Sequence, residues 1–104
     1  KNVLLDLASI DNTARTLAVA NVTIEELLLE LGSVNANPLR YGDFSILKSP
    51  DIPSILIEVG FMSTSTDLDN LTNPMWRTKF AKGLYNAVYR WISEDRTASI
   101  YRLK

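Results

Sequence analysis

One carboxylate stands out by its surroundings. Glu58 is the sole ionisable residue between Ile52 and Met62, inside the run Ser54-Ile-Leu-Ile-Glu-Val-Gly-Phe61. An acid in so apolar a stretch is costly unless it is paired or put to work. Apolar surroundings penalise its charged form, the circumstance that makes a carboxylate useful for moving protons. It also falls near the end of a strand candidate, where open α/β sheets gather their ligand sites. The plainer alternative is a carboxylate at a sheet end paired with a surface Lys or Arg. Pattern alone leaves both open.

The 104 residues contain no histidine and no cysteine. Ser-His-Asp and Cys-His catalysis are therefore excluded within this chain, as is a zinc site built from imidazole or thiolate. Chemistry here must use carboxylates or groups supplied from outside. Asp51 reads as a turn residue between Pro50 and Pro53. Glu25, Glu26 and Glu30 read as a solvated helix face, with cation binding the weaker alternative. Arg77, Lys79, Lys82 and Arg90 give the last helix a basic side, a weak signal for anionic polymers.

The elements that must position Glu58 are read from apolar spacing. Asn2 to Leu31 reads as one long helix with at most one break: Val3, Leu4, Leu7, Ile10, Ala14, Leu17 and Ala18 recur at three- and four-residue intervals. Asn21-Val22-Thr23 is its weak point and Gly32 its stop. Asn35 to Pro38 is loop. Two short strands come next, Phe44 to Leu47 and Ser54 to Phe61, separated by a segment with two prolines. The second is apolar on both faces, as in the middle of a sheet covered by helices. Met62 to Asn73 is polar, with a helical turn around Asp67 to Leu71. Asn73 then caps a helix that starts at Pro74, with a core stripe of Trp76, Phe80, Leu84, Ala87, Val88 and Trp91. The tail from Arg96 has no clear period. The fold class is α/β: two short strands of a mixed sheet, a long N-terminal helix and a long C-terminal helix.

Size and charge bound the rest. The length suits one domain, and a formal net charge of −1 argues against a general nucleic-acid binder. No apolar run approaches the roughly 20 residues of a transmembrane helix. A helix from Asn2 to Leu31 would be about 45 Å long, against a radius of gyration of about 13 Å for a compact domain of this size. Two strands are also marginal alone. The expectation is a fragment, residues 1–104 of a larger domain, exposing apolar surface unless a partner, a second copy or a missing N-terminal segment covers it.

The segment Phe44-Ser-Ile-Leu-Lys-Ser-Pro-Asp-Ile-Pro-Ser-Ile-Leu-Ile-Glu-Val-Gly-Phe61 resembles the signature of the zinc-dependent N-acetylmuramoyl-L-alanine amidases of the type 3 family. That signature runs from an aromatic and a short strand through Lys-x-Pro-Asp-x-Pro-Ser to a second strand and Glu-x-Gly-Phe. Leu4 to Leu31 is similar to the family's long helix, with its Asp-Leu-Ala start and mid-helix Arg, and Trp76 to Ile92 to its closing helix. The resemblance covers nearly the whole chain but only the C-terminal half of the family's domain. It departs after Phe61, where the family's Ser-Asn-Pro run is replaced by Ser63-Thr-Ser-Thr-Asp67.

The resemblance implies a mixed sheet flanked by helices and one zinc held by two His and a Glu from the N-terminal half. No residue here matches those ligands. It implies that Glu58 is the catalytic general base, while zinc polarises the amide between muramic acid and L-alanine and activates water. Implied with it are a peptidoglycan substrate, a periplasmic or extracellular place in the cell envelope, and a regulatory activator in cell-division members. This chain alone is expected to be inactive. The competing expectation is a non-catalytic module that keeps the amidase scaffold to bind cell wall or a partner.

Overall fold

The first apolar run forms a strand, not the start of a helix. In the computed structural model, which describes residues 3–8, 13–42 and 52–102, β1 (Leu4–Ala8) lies at the centre of a three-stranded sheet. On one side it pairs in parallel with β2 (Leu39–Gly42), from Leu5 opposite Leu39 to Ala8 opposite Gly42. On the other it pairs antiparallel with β3 (Ile55–Glu58), from Leu4 opposite Glu58 to Leu7 opposite Ile55. The sheet is mixed, as expected, but it has a third strand and a different N-terminus. Leu-Leu-Asp-Leu-Ala satisfies either a helical or a buried-strand pattern over so few residues. Two neighbouring strands that satisfy its backbone decide the matter. The helix α1 begins only at Thr13 and ends at Leu31, about 28 Å at 1.5 Å per residue.

Asn21-Val22-Thr23 does not break α1. Val22 and Thr23 are buried, and the Thr23 hydroxyl donates to the Val19 carbonyl at 2.7 Å, so its polar group is satisfied within the helix. Burial overrides weak propensity. Gly32 stops the helix as expected, with φ of 82° and its N–H donating to the Leu28 carbonyl at 2.9 Å. The strand expected at Phe44 to Leu47 lies outside the described residues. The second expected strand is shorter than its apolar run, since Val59, Gly60 and Phe61 leave the sheet. Among the described residues it pairs with β1.

The helix α2 (Ser65–Thr72) leads into α3 (Pro74–Arg102). Asn73 Oδ1 accepts the Met75 N–H at 2.9 Å, the expected cap. The helix continues well past Ile92, through the tail with no apolar period. Hydroxyls in that tail bond back to the helix, such as Ser93 to the Tyr89 carbonyl at 3.1 Å, so their polar groups are satisfied locally.

The core forms around α1. Leu17, Ala20 and Ile24 meet Leu39, Ile55 and Ile57 of the sheet, while Leu27 meets α3 at Gly83. A Cβ on Gly83 would stand 2.8 Å from Leu27 Cδ2 and 3.3 Å from Leu27 Cα, so this glycine permits the close crossing. Ala87, one turn on, is fully buried. Ion pairs edge the same antiparallel contact. Arg15 forks onto Asp95 at 3.1 and 3.0 Å and lies 5.8 Å from the Trp91 ring centroid. Lys82 reaches Glu30 at 3.8 Å. Trp76 stacks on Phe80 at 5.5 Å, but Val88 is not part of the core. It is 51% exposed, beside Tyr85, Tyr89 and Ile92 on the outer face of α3. The small residues Gly83 and Ala87, not Val88, turn toward α1.

Candidate active site

Glu58 is the last residue of β3, opposite Leu4 of β1. Ile55 and Ile57 pack into the Ala20 cluster, so strand alternation sends Leu56 and Glu58 to the face away from α1. Glu58 is half-buried. It is therefore neither sealed in the core nor loose in solvent, a placement suited to a group that must meet a substrate.

The chain leaves Glu58 through a braced turn. The Phe61 N–H donates to Asp67 Oδ2 at 2.9 Å, and the Phe61 carbonyl accepts the Thr64 N–H at 3.0 Å. Asp67 sits in the first turn of α2 and is only 3% exposed, where a negative charge also complements the helix dipole. A Cβ on Gly60 would lie 3.2 Å from Asp67 Cβ and 3.3 Å from its Cγ. A side chain at Gly60 would therefore press on Asp67. The helix's own N-cap, Thr64, makes no side-chain cap bond, so Asp67 is the side chain that ties this junction. Sequence reading misses it, because one Asp among Ser and Thr reads as a polar turn.

The other candidates are placed elsewhere. Asp51 lies outside the described residues. Glu25 is exposed, as expected of a solvated face, whereas Glu26 and Glu30 are partly buried, and all three pair with cations of α3. Arg90 binds Glu25 at 2.8 Å, Glu26 at 3.2 Å and Glu94 at 3.0 Å, spanning α1 and α3. Hydrogen bonds that Arg90 donates to Glu94, then Glu25 and Glu26, hold its guanidinium above its ordinary pKa. Arg90 and Lys82 are thereby committed to α1, which weakens the case for a basic polymer-binding side. Arg77 donates to the Leu71 carbonyl at 2.9 Å. A hollow of about 310 Å³ lined by Pro74, Met75, Thr78 and Lys79 holds none of the candidate acids.

Zinc does not fit this chain's own residues. The sequence has neither His nor Cys, and the described residues contain no group of three or more potential ligands, against the three or four a zinc site uses.

A family model described as N-acetylmuramoyl-L-alanine amidase matches residues 6–90. The chain belongs to the N-acetylmuramoyl-L-alanine amidase family. It is 27% identical over 90 residues to the amidase AmiC of Neisseria meningitidis, covering 86% of this chain and 21% of that protein. Its fold is similar to the catalytic domain of the amidase CwlV from Paenibacillus polymyxa, with a TM-score of 0.70 and 20% identity, over 88% of this chain and 50% of that one. It is also similar to the Clostridioides difficile amidase CwlD, solved in complex with the GerS lipoprotein, with a TM-score of 0.73 and 24% identity, over 89% and 48%. The α/β class and mixed sheet are those of amidase domains. The chain spans about half of these solved amidases and 11% to 34% of its curated relatives. Glu58-Val-Gly-Phe61 and its brace lie within the matched residues.

Proposed function

We propose that this chain is the C-terminal part of a peptidoglycan amidase domain, with Glu58 as the carboxylate that moves protons during hydrolysis. The observation that carries the reading is Glu58 itself. It is a half-buried acid at the end of an apolar strand, in a chain matched to this family from residue 6 to residue 90. The bond cleaved is the amide between N-acetylmuramic acid and L-alanine. Water adds its oxygen to the amide carbonyl carbon while Glu58 accepts its proton. The carbon–nitrogen bond then breaks, and Glu58 returns that proton to the leaving amine of L-alanine. The products are a free lactyl carboxylate and a free peptide amino terminus.

Several finer readings belong to the same proposal. The zinc ligands lie in the N-terminal half of the domain, supported by the absence of His and Cys here and by the half-length match to solved amidases. The site of action is the cell envelope, on its periplasmic or extracellular side, with cell division as one setting. A relative described as a cell wall amidase supports the envelope. An accessory activator protein is part of the reading, since CwlD was solved with a lipoprotein bound. The matched relatives are amidases, which favours hydrolysis over a binding module.

The test is product chemistry. The full-length enzyme carrying this chain, incubated with purified peptidoglycan, should release stem peptides with a free L-alanine amino group and leave the glycan intact. Release of disaccharides, or of peptides cut internally, would overturn the assignment.

A further inference from the structure

We infer that Asp67 is the positioning residue for Glu58, acting through the turn that joins β3 to α2. The inference rests on the proposed role of Glu58. It starts from a mechanical question: what holds a carboxylate still where its strand ends? The ladder pairs Glu58 with Leu4 of β1. Three residues later, both backbone polar groups of Phe61 are tied, the N–H to Asp67 Oδ2 at 2.9 Å and the carbonyl to the Thr64 N–H at 3.0 Å.

The Asp67 tie is the stronger of the two in kind. A hydrogen bond to a carboxylate is roughly twice as strong as a neutral one, and this residue is 3% exposed, so water competes for it poorly. The contact is also tight. Gly60 approaches Asp67 so closely that a single Cβ would meet it at 3.2 Å. Asp67 in turn has a firm mount. The helix α2 packs on α3, α3 on α1, and α1 on the sheet that includes β3. Strand, turn and three helices form a closed circuit, and Asp67 joins the turn to the helices. A catalytic group displaced by about 1 Å can lose on the order of 100-fold in rate. Asp67 guards against that displacement.

The test compares Asp67→Ala, Asp67→Asn, Gly60→Ala and Glu58→Gln in the full-length, metal-loaded enzyme on purified peptidoglycan, per folded molecule and at measured metal content. Asp67→Ala should lower kcat by about 10- to 100-fold, with KM within about twofold and metal content unchanged. Asp67→Asn keeps an oxygen that accepts the Phe61 N–H and should recover much of the loss. Gly60→Ala should lower kcat from the other side of the contact. In a Glu58→Gln background Asp67→Ala should cause no further loss, which a merely structural role would not produce. Unchanged kcat in Asp67→Ala, or a full additional loss on top of Glu58→Gln, overturns the positioning role. If Asp67→Ala does not fold, Gly60→Ala decides: unchanged kcat in that variant overturns the inference. Wild-type activity in Glu58→Gln instead removes the reading of the site itself.

Discussion

Gly83 stands where α3 crosses α1, and adding one methyl group there measures how closely the helices meet. The new Cβ would lie 2.8 Å from Leu27 Cδ2, 3.3 Å from Leu27 Cα and 3.4 Å from the Glu26 carbonyl oxygen. Carbon pairs are comfortable at about 3.5 Å or more, so the first contact is too short by about 0.7 Å. Leu27 is 1% exposed, enclosed by the core on all sides. Overpacking of this kind costs about 1–3 kcal/mol, while Gly→Ala in a helix returns about 1 kcal/mol. Gly83→Ala should therefore be neutral to destabilising, by up to about 2 kcal/mol after that offset. Leu27→Ala removes the clashing methyl and should cost about 2–5 kcal/mol alone. In that background Gly83→Ala should become stabilising, by up to about 1 kcal/mol. Denaturant unfolding of the four variants reads the coupling. Exposed Ala81→Gly on the same helix calibrates propensity. If Gly83→Ala stabilises the parent as much as Ala81→Gly destabilises it, the helices do not meet at this glycine and the reasoning fails.

Two further substitutions test the edges of the same contact. Arg15→Lys keeps the charge but loses the fork onto Asp95, and should cost about 1 kcal/mol. The same change made beside Asp95→Asn should cost less, and an equal cost in both backgrounds would deny the pairing. Arg90→Gln leaves Glu25, Glu26 and Glu94 together without their shared cation. It should lower the thermal midpoint more at low than at high ionic strength, and a salt-independent loss would contradict that electrostatic origin.

How far residues alone reveal this fold depends on how local the deciding physics is. Asn73-Pro74 and Gly32 mark helix ends because a cap bond and a left-handed glycine act within a few residues of chain. Glu58 is legible because one charge in an apolar run is conspicuous wherever the strand lies. β1 is not, since Leu4 to Ala8 fits two periods and only pairing with Leu39 and Ile55, distant in sequence, selects the strand. The tail of α3 is hidden for a related reason: Asp95 is anchored by Arg15, 80 residues away. Asp67 is the instructive miss. Its composition says turn, and its role depends on burial against Gly60 and Phe61 that no spacing rule encodes.

The most direct measurement is the turnover of Glu58→Gln in the full-length enzyme, at metal content and thermal midpoint equal to the parent's. Glutamine preserves size and hydrogen bonding but cannot accept water's proton. With Glu58 as the group that moves the proton, kcat should fall by about 10²- to 10⁴-fold while peptidoglycan still binds. Turnover within a few-fold of the parent would contradict it.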